Sequence, residues 1–150
     1  FYVPDNVYII GTMNDIDRSV ESMDFAIRRR FTWKKVPADE TRLAAVWGTD
    51  DSTASVTLED VKPRYRELNK AIEECASDGL GEAFMIGPSY YLKLKGMGMG
   101  KDDCFKTLWD LHLEPLLQEY VRGLPNALEL MEKFENAYYR LERTDAAAAS

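Results

Sequence analysis

The rhythm of apolar and polar positions changes sharply about a quarter of the way along the chain. Val7-Tyr8-Ile9-Ile10 is a short unbroken apolar run, β-branched and aromatic, that ends at Gly11. Such a run predicts a strand buried on both faces, as in a parallel sheet. Asn14 to Ser19 is polar and turn-like. Asp24-Phe25-Ala26-Ile27-Arg28-Arg29-Arg30 then predicts a short helix. It has an acid near its N-terminus and cations at its C-terminus, as the helix dipole prefers. Phe31-Thr32-Trp33-Lys34-Lys35-Val36 alternates like a second strand, and Pro37 ends it.

Beyond Pro37 the period lengthens to that of helices. Glu40 to Trp47 predicts a short helix, and Gly48 to Thr57 a polar loop. Leu58, Val61, Tyr65, Leu68, Ile72 and Cys75 step by three and four, which predicts an amphipathic helix with Pro63 tolerated in its first turns. Phe84 to Leu94 is apolar and aromatic around Gly87-Pro88, and Gly96 to Gly100 is a Gly/Met loop. Asp102 or Asp103 is placed to cap a helix carrying Phe105, Leu108, Trp109, Leu113, Leu116, Leu117 and Tyr120, with Pro115 kinking it. Gly123 and Pro125 break that helix. Asn126 is placed to cap a last one with Leu128, Met131, Phe134, Tyr138 and Leu141 on one side.

The expected fold class is mixed α/β, mostly helical. Residues 1–37 read as two strands and a short helix of an α/β core, 38–143 as a helical subdomain, and 144–150 as a disordered Ala-rich tail. Two strands cannot cover both faces of a sheet, so further strands are expected upstream. The first residue, Phe1, fits that expectation of a piece of a longer protein.

Composition narrows the class. The chain has 150 residues, 45% hydrophobic and 30% charged, which is a globular mixture. There is no secretory signal pattern and no apolar run near the roughly 18 residues that span a bilayer. A cytoplasmic protein with no membrane partner is expected. Cys75 and Cys104 are far apart without metal-ligand spacing, which favours two free thiols over a disulfide in that compartment. The net charge of -7 argues against the whole chain coating nucleic acid. Arg28, Arg29, Arg30, Lys34 and Lys35 form a local cationic exception.

Two features carry candidate chemistry. Asn14 lies just past the end of the first strand, where open α/β sheets bind ligands. A neutral amide there can hold an attacking water for phosphoryl transfer, or it can simply cap the turn. The three arginines offer planar, permanently charged donor forks that suit a phosphate in its transition state. They also read as cations that stabilise a helix C-terminus. His112, the one histidine, has no partners for a triad or a metal site and reads as structural.

Together these pieces resemble the McrB family, the nucleotide-driven motor subunits of modification-dependent restriction systems. The shared order is an apolar strand, Gly11-Thr12-Met13-Asn14, Asp17-Arg18-Ser19, a short helix and Arg28-Arg29-Arg30-Phe31. The resemblance implies the end of an AAA+ P-loop core followed by a helical lid. It implies that Asn14 is the sensor I residue and that Asn14 and Asp17 belong to the nucleotide site. It further implies that Arg28, Arg29 and Arg30 include a finger acting on the adjacent subunit's nucleotide, with Arg18 also at the subunit boundary.

Phe84-Met85-Ile86-Gly87-Pro88-Ser89-Tyr90-Tyr91-Leu92 is similar to the family's lid segment, usually Ile-Gly-His-Ser-Tyr-Phe. Pro88 replaces the His, so a side-chain donor and a backbone N–H are both missing there. Leu113-Glu114-Pro115-Leu116-Leu117-Gln118-Glu119-Tyr120 is close to a further family helix.

No P-loop is present. Gly96-Met97-Gly98-Met99-Gly100-Lys101-Asp102 has the wrong spacing, and Asp replaces the magnesium-binding hydroxyl. No apolar strand ends in paired acids, so no metal site is expected in this chain. The full-length protein implied by the resemblance hydrolyses GTP or ATP with Mg²⁺ in a homo-oligomeric ring. It works with a nuclease subunit and reaches DNA through an N-terminal domain absent here. No nucleotide is expected on this piece alone, which should be inactive. The competing reading is a non-catalytic helical protein-interaction module, its stripes serving partner helices.

Overall fold

The computed structural model describes residues 4–12, 25–48 and 55–148. Its backbone forms two compact units, Phe1–Lys34 and Lys35–Ser150.

In the first unit, α1 spans Phe25–Arg28, with Arg28 in its last turn. No β-strand forms among the described residues. Both expected strands therefore need correction. Tyr8 is 86% and Ile10 92% exposed, and Phe31, Trp33 and Val36 are exposed as well. The reason is that a strand requires a ladder partner. The backbone bond recorded at Val7 is local, its N–H donating to the Pro4 carbonyl at 3.1 Å. Apolar side chains without a neighbouring strand or covering helix stay in water.

The second unit is helical. Asp39 caps α2 (Glu40–Trp47) by accepting from the Arg42 N–H at 2.9 Å. Thr57 and Asp60 form a reciprocal capping box that opens α3 (Leu58–Glu73). The α3 stripe of Val61, Tyr65, Leu68 and Ile72 is buried. Burying each aliphatic side chain of this kind contributes about 2 kcal/mol. The chain leaves α3 through a short 3₁₀ turn that Gly79 ends at φ +88°, a left-handed conformation for which glycine has no Cβ penalty. Two further 3₁₀ segments, Glu82–Phe84 and Pro88–Gly96, carry the apolar and aromatic stretch.

Next comes α4 (Lys101–Leu108), then a π-helical turn at Trp109–Leu113 and α5 (Glu114–Tyr120). Gly100 holds the N-cap position with no side-chain bond, so neither Asp102 nor Asp103 caps α4. Both sit in its first turn, where their charge favours the dipole. Where a kink is expected at Pro115, the chain carries a π turn just upstream. Proline has no N–H for the Leu111 carbonyl, and its ring crowds that group. Just upstream the chain widens to i→i−5, with the Glu114 N–H donating to the Trp109 carbonyl.

The last helix, α6 (Ala127–Ala148), packs along α3 and continues through the stretch read as a tail. Asn126 precedes it, and its side-chain amide donates to Asp78 at 2.8 Å. Leu128, expected on the apolar side, is 84% exposed. Phe134 and Tyr138, expected on the same side, are buried, and Leu130 joins them where Leu128 does not. Six positions separate Leu128 from Phe134, which puts them on different faces at about 100° per residue.

One core joins these helices. Phe105, Leu108, Leu113 and Leu117 from α4 to α5 meet the α3 stripe, Ile86, Tyr91, Phe134 and Tyr138. Arg64 is 5% exposed, a cation inside this core. It donates to the Tyr138 carbonyl at 2.9 Å and lies 4.1 Å from the Phe105 ring centroid.

Candidate functional site

The candidate residues fall into two groups, one in each unit. Asn14, Asp17 and Arg18 lie outside the described residues. Gly11 and Thr12, just before them, are exposed.

The arginines are described. Arg28 ends α1, Arg29 and Arg30 form the following turn, and all three are exposed. A helix of four residues is too short to persist through its own hydrogen bonds. Here a side chain fastens its end: the Trp33 indole N–H donates to the Arg28 carbonyl at 2.9 Å. The Arg28 guanidinium lies 5.7 Å from the Trp33 ring centroid, within cation–π range. The structure thus brings Arg28 and Trp33 together and leaves Arg29 and Arg30 exposed beside them. Lys35 belongs to the second unit, where it pairs with Glu82 at 2.6 Å. The partners are 67% and 49% exposed, so that pair contributes little.

The lid segment around Gly87-Pro88 is held from below. Asn69, buried in α3, forms two bonds with one residue. Its amide donates to the Ile86 carbonyl at 3.1 Å, and its carbonyl accepts from the Ile86 N–H at 2.6 Å. Ile86 is buried, so this clamp satisfies both of its polar backbone groups away from water. Pro88 follows as the first residue of the 3₁₀ segment. Its fixed φ suits a helix start, where a missing N–H costs nothing. Tyr91, three residues on, is fully buried against Tyr65 in an edge-to-face pair at 5.3 Å. Burial, with Asp39 and Glu40 nearby, pushes the Tyr65 hydroxyl up to about 12. Burial also pushes Tyr91 well up, so both phenols stay neutral at physiological pH.

The segment is fastened at its far end too. Lys95 donates to the Trp47 carbonyl at 2.6 Å and lies 5.0 Å from the Trp47 ring centroid. In the following loop, Ser55 donates to the Met99 carbonyl at 2.7 Å. Lys101 pairs with Asp60 at 2.8 Å, tying the start of α4 to the capping box. Partial burial works against the charged form of Asp60. The bonds from Lys101 and Thr57 outweigh it and hold the carboxyl below its usual range.

The remaining candidates are structural. Cys75 and Cys104 are buried free thiols. No cluster of three or more His, Cys, Asp or Glu side chains that could hold a metal occurs among the described residues. In the described residues, no helix is long and apolar enough to cross a membrane. The groove between α3 and α6 is bridged by Arg140–Glu67 at 3.6 Å and Lys133–Glu74 at 3.3 Å, so these four charges are already engaged.

Residues 60–129, which include the Asn69–Ile86 clamp and the Pro88 segment, match the family described as the alpha-helical lid domain of McrB. The chain is also 35% identical over 122 residues to the "Type IV methyl-directed restriction enzyme EcoKMcrB subunit" of Escherichia coli strain K12. That match covers 80% of this chain, so it reaches well beyond the lid. Residues 60–129 form a lid of the McrB type. The chain spans about a quarter of that relative's length, 26%. No solved structure matches it.

Within the McrB lid, sequence reasoning missed Asn69 and Arg64. Both were legible as polar residues on an apolar stripe, next to Leu68 and Tyr65, where a core position calls for a buried partner. It also missed Trp33, whose spacing of five from Arg28 gave no helical or strand signal.

Proposed function

We propose that this chain supplies the sensor residues, the arginine-bearing turn and the helical lid of a ring-forming AAA+ nucleoside triphosphatase. The parent protein hydrolyses GTP or ATP with Mg²⁺ and couples turnover to DNA restriction with a nuclease subunit, in the cytoplasm. The observation that carries this reading is the 35% identity to the restriction enzyme subunit across 80% of the chain.

The roles divide between two nucleotide sites. Asn14 orients the attacking water at the subunit's own γ-phosphate, and Asp17 supports the same site. One of Arg28, Arg29 and Arg30 reaches the neighbour's nucleotide, where a guanidinium stabilises charge in the loose phosphoryl-transfer transition state. Arg18 lies at the same subunit boundary. The phosphate cradle and the metal-holding acids belong to residues before Phe1. The helical lid packs around its own core, which offers a firm body to swing over a bound nucleotide.

The interaction-module reading draws less support. Its premise was apolar stripes available to partner helices. The stripes of α3 and of α4 to α5 are buried within the chain itself.

The deciding experiment measures GTP and ATP hydrolysis by the full-length protein. Substituting all three arginines by Ala is expected to abolish turnover while rings still assemble. The 150-residue chain alone is expected to show none. Undiminished turnover in the triple variant, or robust turnover by the chain alone, would sink the reading.

A further inference from the structure

We propose that Trp33 is a positioning residue for the arginine turn: it engages Arg28 and leaves Arg29 and Arg30 to act on the neighbouring subunit's nucleotide. The proposal rests on the ring-hydrolase reading above and narrows it.

Three observations carry it. First, the bond from the Trp33 indole to the Arg28 carbonyl closes a five-residue loop around the turn. A four-residue helix exposes its last carbonyls, and this bond satisfies one of them. It fixes where the chain leaves α1 and hence where Arg29 and Arg30 project. Second, the same ring lies 5.7 Å from the Arg28 guanidinium, within cation–π range. An arginine that pairs with a ring of its own chain gives up that contact to reach another subunit's phosphate. Arg29 and Arg30 are exposed and have no hydrogen bond, ion pair or ring contact among the described residues. Third, Trp33 is 46% exposed, whereas Trp47 and Trp109 are buried in the lid core. Core packing therefore does not explain the ring's placement, while its two contacts to Arg28 do.

A misplaced catalytic group loses far more rate than binding, because a shift of about 1 Å costs up to roughly a hundredfold. The test uses the full-length protein with Trp33→Ala and Trp33→Phe, and reads kcat and KM for nucleotide, ring assembly and thermal unfolding. Trp33→Ala is expected to lower kcat roughly ten- to a hundredfold with KM and assembly unchanged. Trp33→Phe keeps the ring but not the donor, and is expected to fall between it and the parent protein. Arg28→Ala is expected to cost less than the more damaging of Arg29→Ala and Arg30→Ala.

Subunit mixing separates positioning from folding. Trp33→Ala subunits retain their own Asn14, and Asn14→Ala subunits retain an ordered arginine turn. Mixed rings are expected to recover turnover that neither variant has alone, whereas a folding defect would not be repaired.

An unchanged kcat in Trp33→Ala overturns the proposal. So does a loss of rings alongside the loss of rate, or an Arg28→Ala defect larger than those of Arg29→Ala and Arg30→Ala. If instead the triple arginine variant keeps full activity, the ring-hydrolase reading fails, which is a distinguishable result.

Discussion

The two units use apolar residues in opposite ways. In the first, Tyr8, Ile9 and Ile10 stand in water. In the second, Leu43, Leu68, Ile72, Leu108, Leu113 and Phe134 are completely buried. Intrinsic hydrophobicity does not separate them, since Ile10 and Ile72 are the same residue. The difference is the source of the covering surface. A helical stripe finds its cover on the next helix of the same chain, a few dozen residues away. A strand that reads as buried on both faces needs a neighbour on each edge and a layer above and below. The helical unit thus covers its own core, whereas the described residues of the first unit leave Tyr8, Ile9 and Ile10 in water.

The largest expected effect tests the chemical side of that contrast. Replacing Arg28, Arg29 and Arg30 by Ala in the full-length protein should lower ring hydrolysis by about a thousandfold or more, the usual scale for a trans-acting arginine. Thermal unfolding of the lid should not move, because these side chains lie in the other unit.

The next effect is structural and belongs to the lid. Leu68→Ala removes a fully buried side chain and should destabilise the 150-residue chain by about 3 kcal/mol in urea unfolding. Ile10→Ala should cost less than about 0.5 kcal/mol in the same chain, since Ile10 is 92% exposed. In the full-length protein Ile10→Ala should instead cost about 2 kcal/mol or more, if neighbouring strands cover it. Equal small costs in both proteins would break the comparison drawn above.

Asn69→Ala tests the clamp under the Gly87-Pro88 segment. It strands the buried Ile86 N–H and carbonyl, at a cost of about 2 kcal/mol. Hydrogen exchange at the Ile86 amide should accelerate more than exchange in α6. Uniform acceleration would mean that the clamp serves global stability only.

The smallest effect depends on pH. The Asp60 carboxyl is held below its ordinary value in the folded chain. Its stabilisation is therefore present at neutral pH and is lost as pH falls through the folded-state value. Asp60→Ala should cost about 1 kcal/mol at pH 7, the scale of a lost helix cap. The gap between variant and parent should close as the solution is acidified below the carboxylate range.

How much of this was legible beforehand follows the range of the interactions. The ends of α2, at Glu40 and Trp47, and the start of α3 at Leu58 were readable, because caps and three-to-four spacing act within one or two turns. The buried positions of α3 were readable for the same reason. The face of α6 was readable at Phe134 and Tyr138 but not at Leu128, which is exposed while Leu130, two residues on, is buried. Asn14, Asp17 and the arginines are legible in the sequence only as residue types suited to a phosphate. The partner of Arg28 is not legible there, since Trp33 meets it through a turn that no regular period describes.

By itself, then, the sequence determined where α2 and α3 begin, which face of α3 is apolar, and which residue types suit a phosphate. Those are local matters, settled by backbone geometry and by charge over a few residues. Tertiary structure alone decided that Asn69 clamps Ile86, that Arg64 lies among Phe105 and Tyr138, and that Pro115 is accommodated by a π turn. It also decided that Ile10 remains in water while Ile72 does not. Burial is a property of what lies opposite a side chain, and one residue's neighbours in sequence do not specify its neighbours in space.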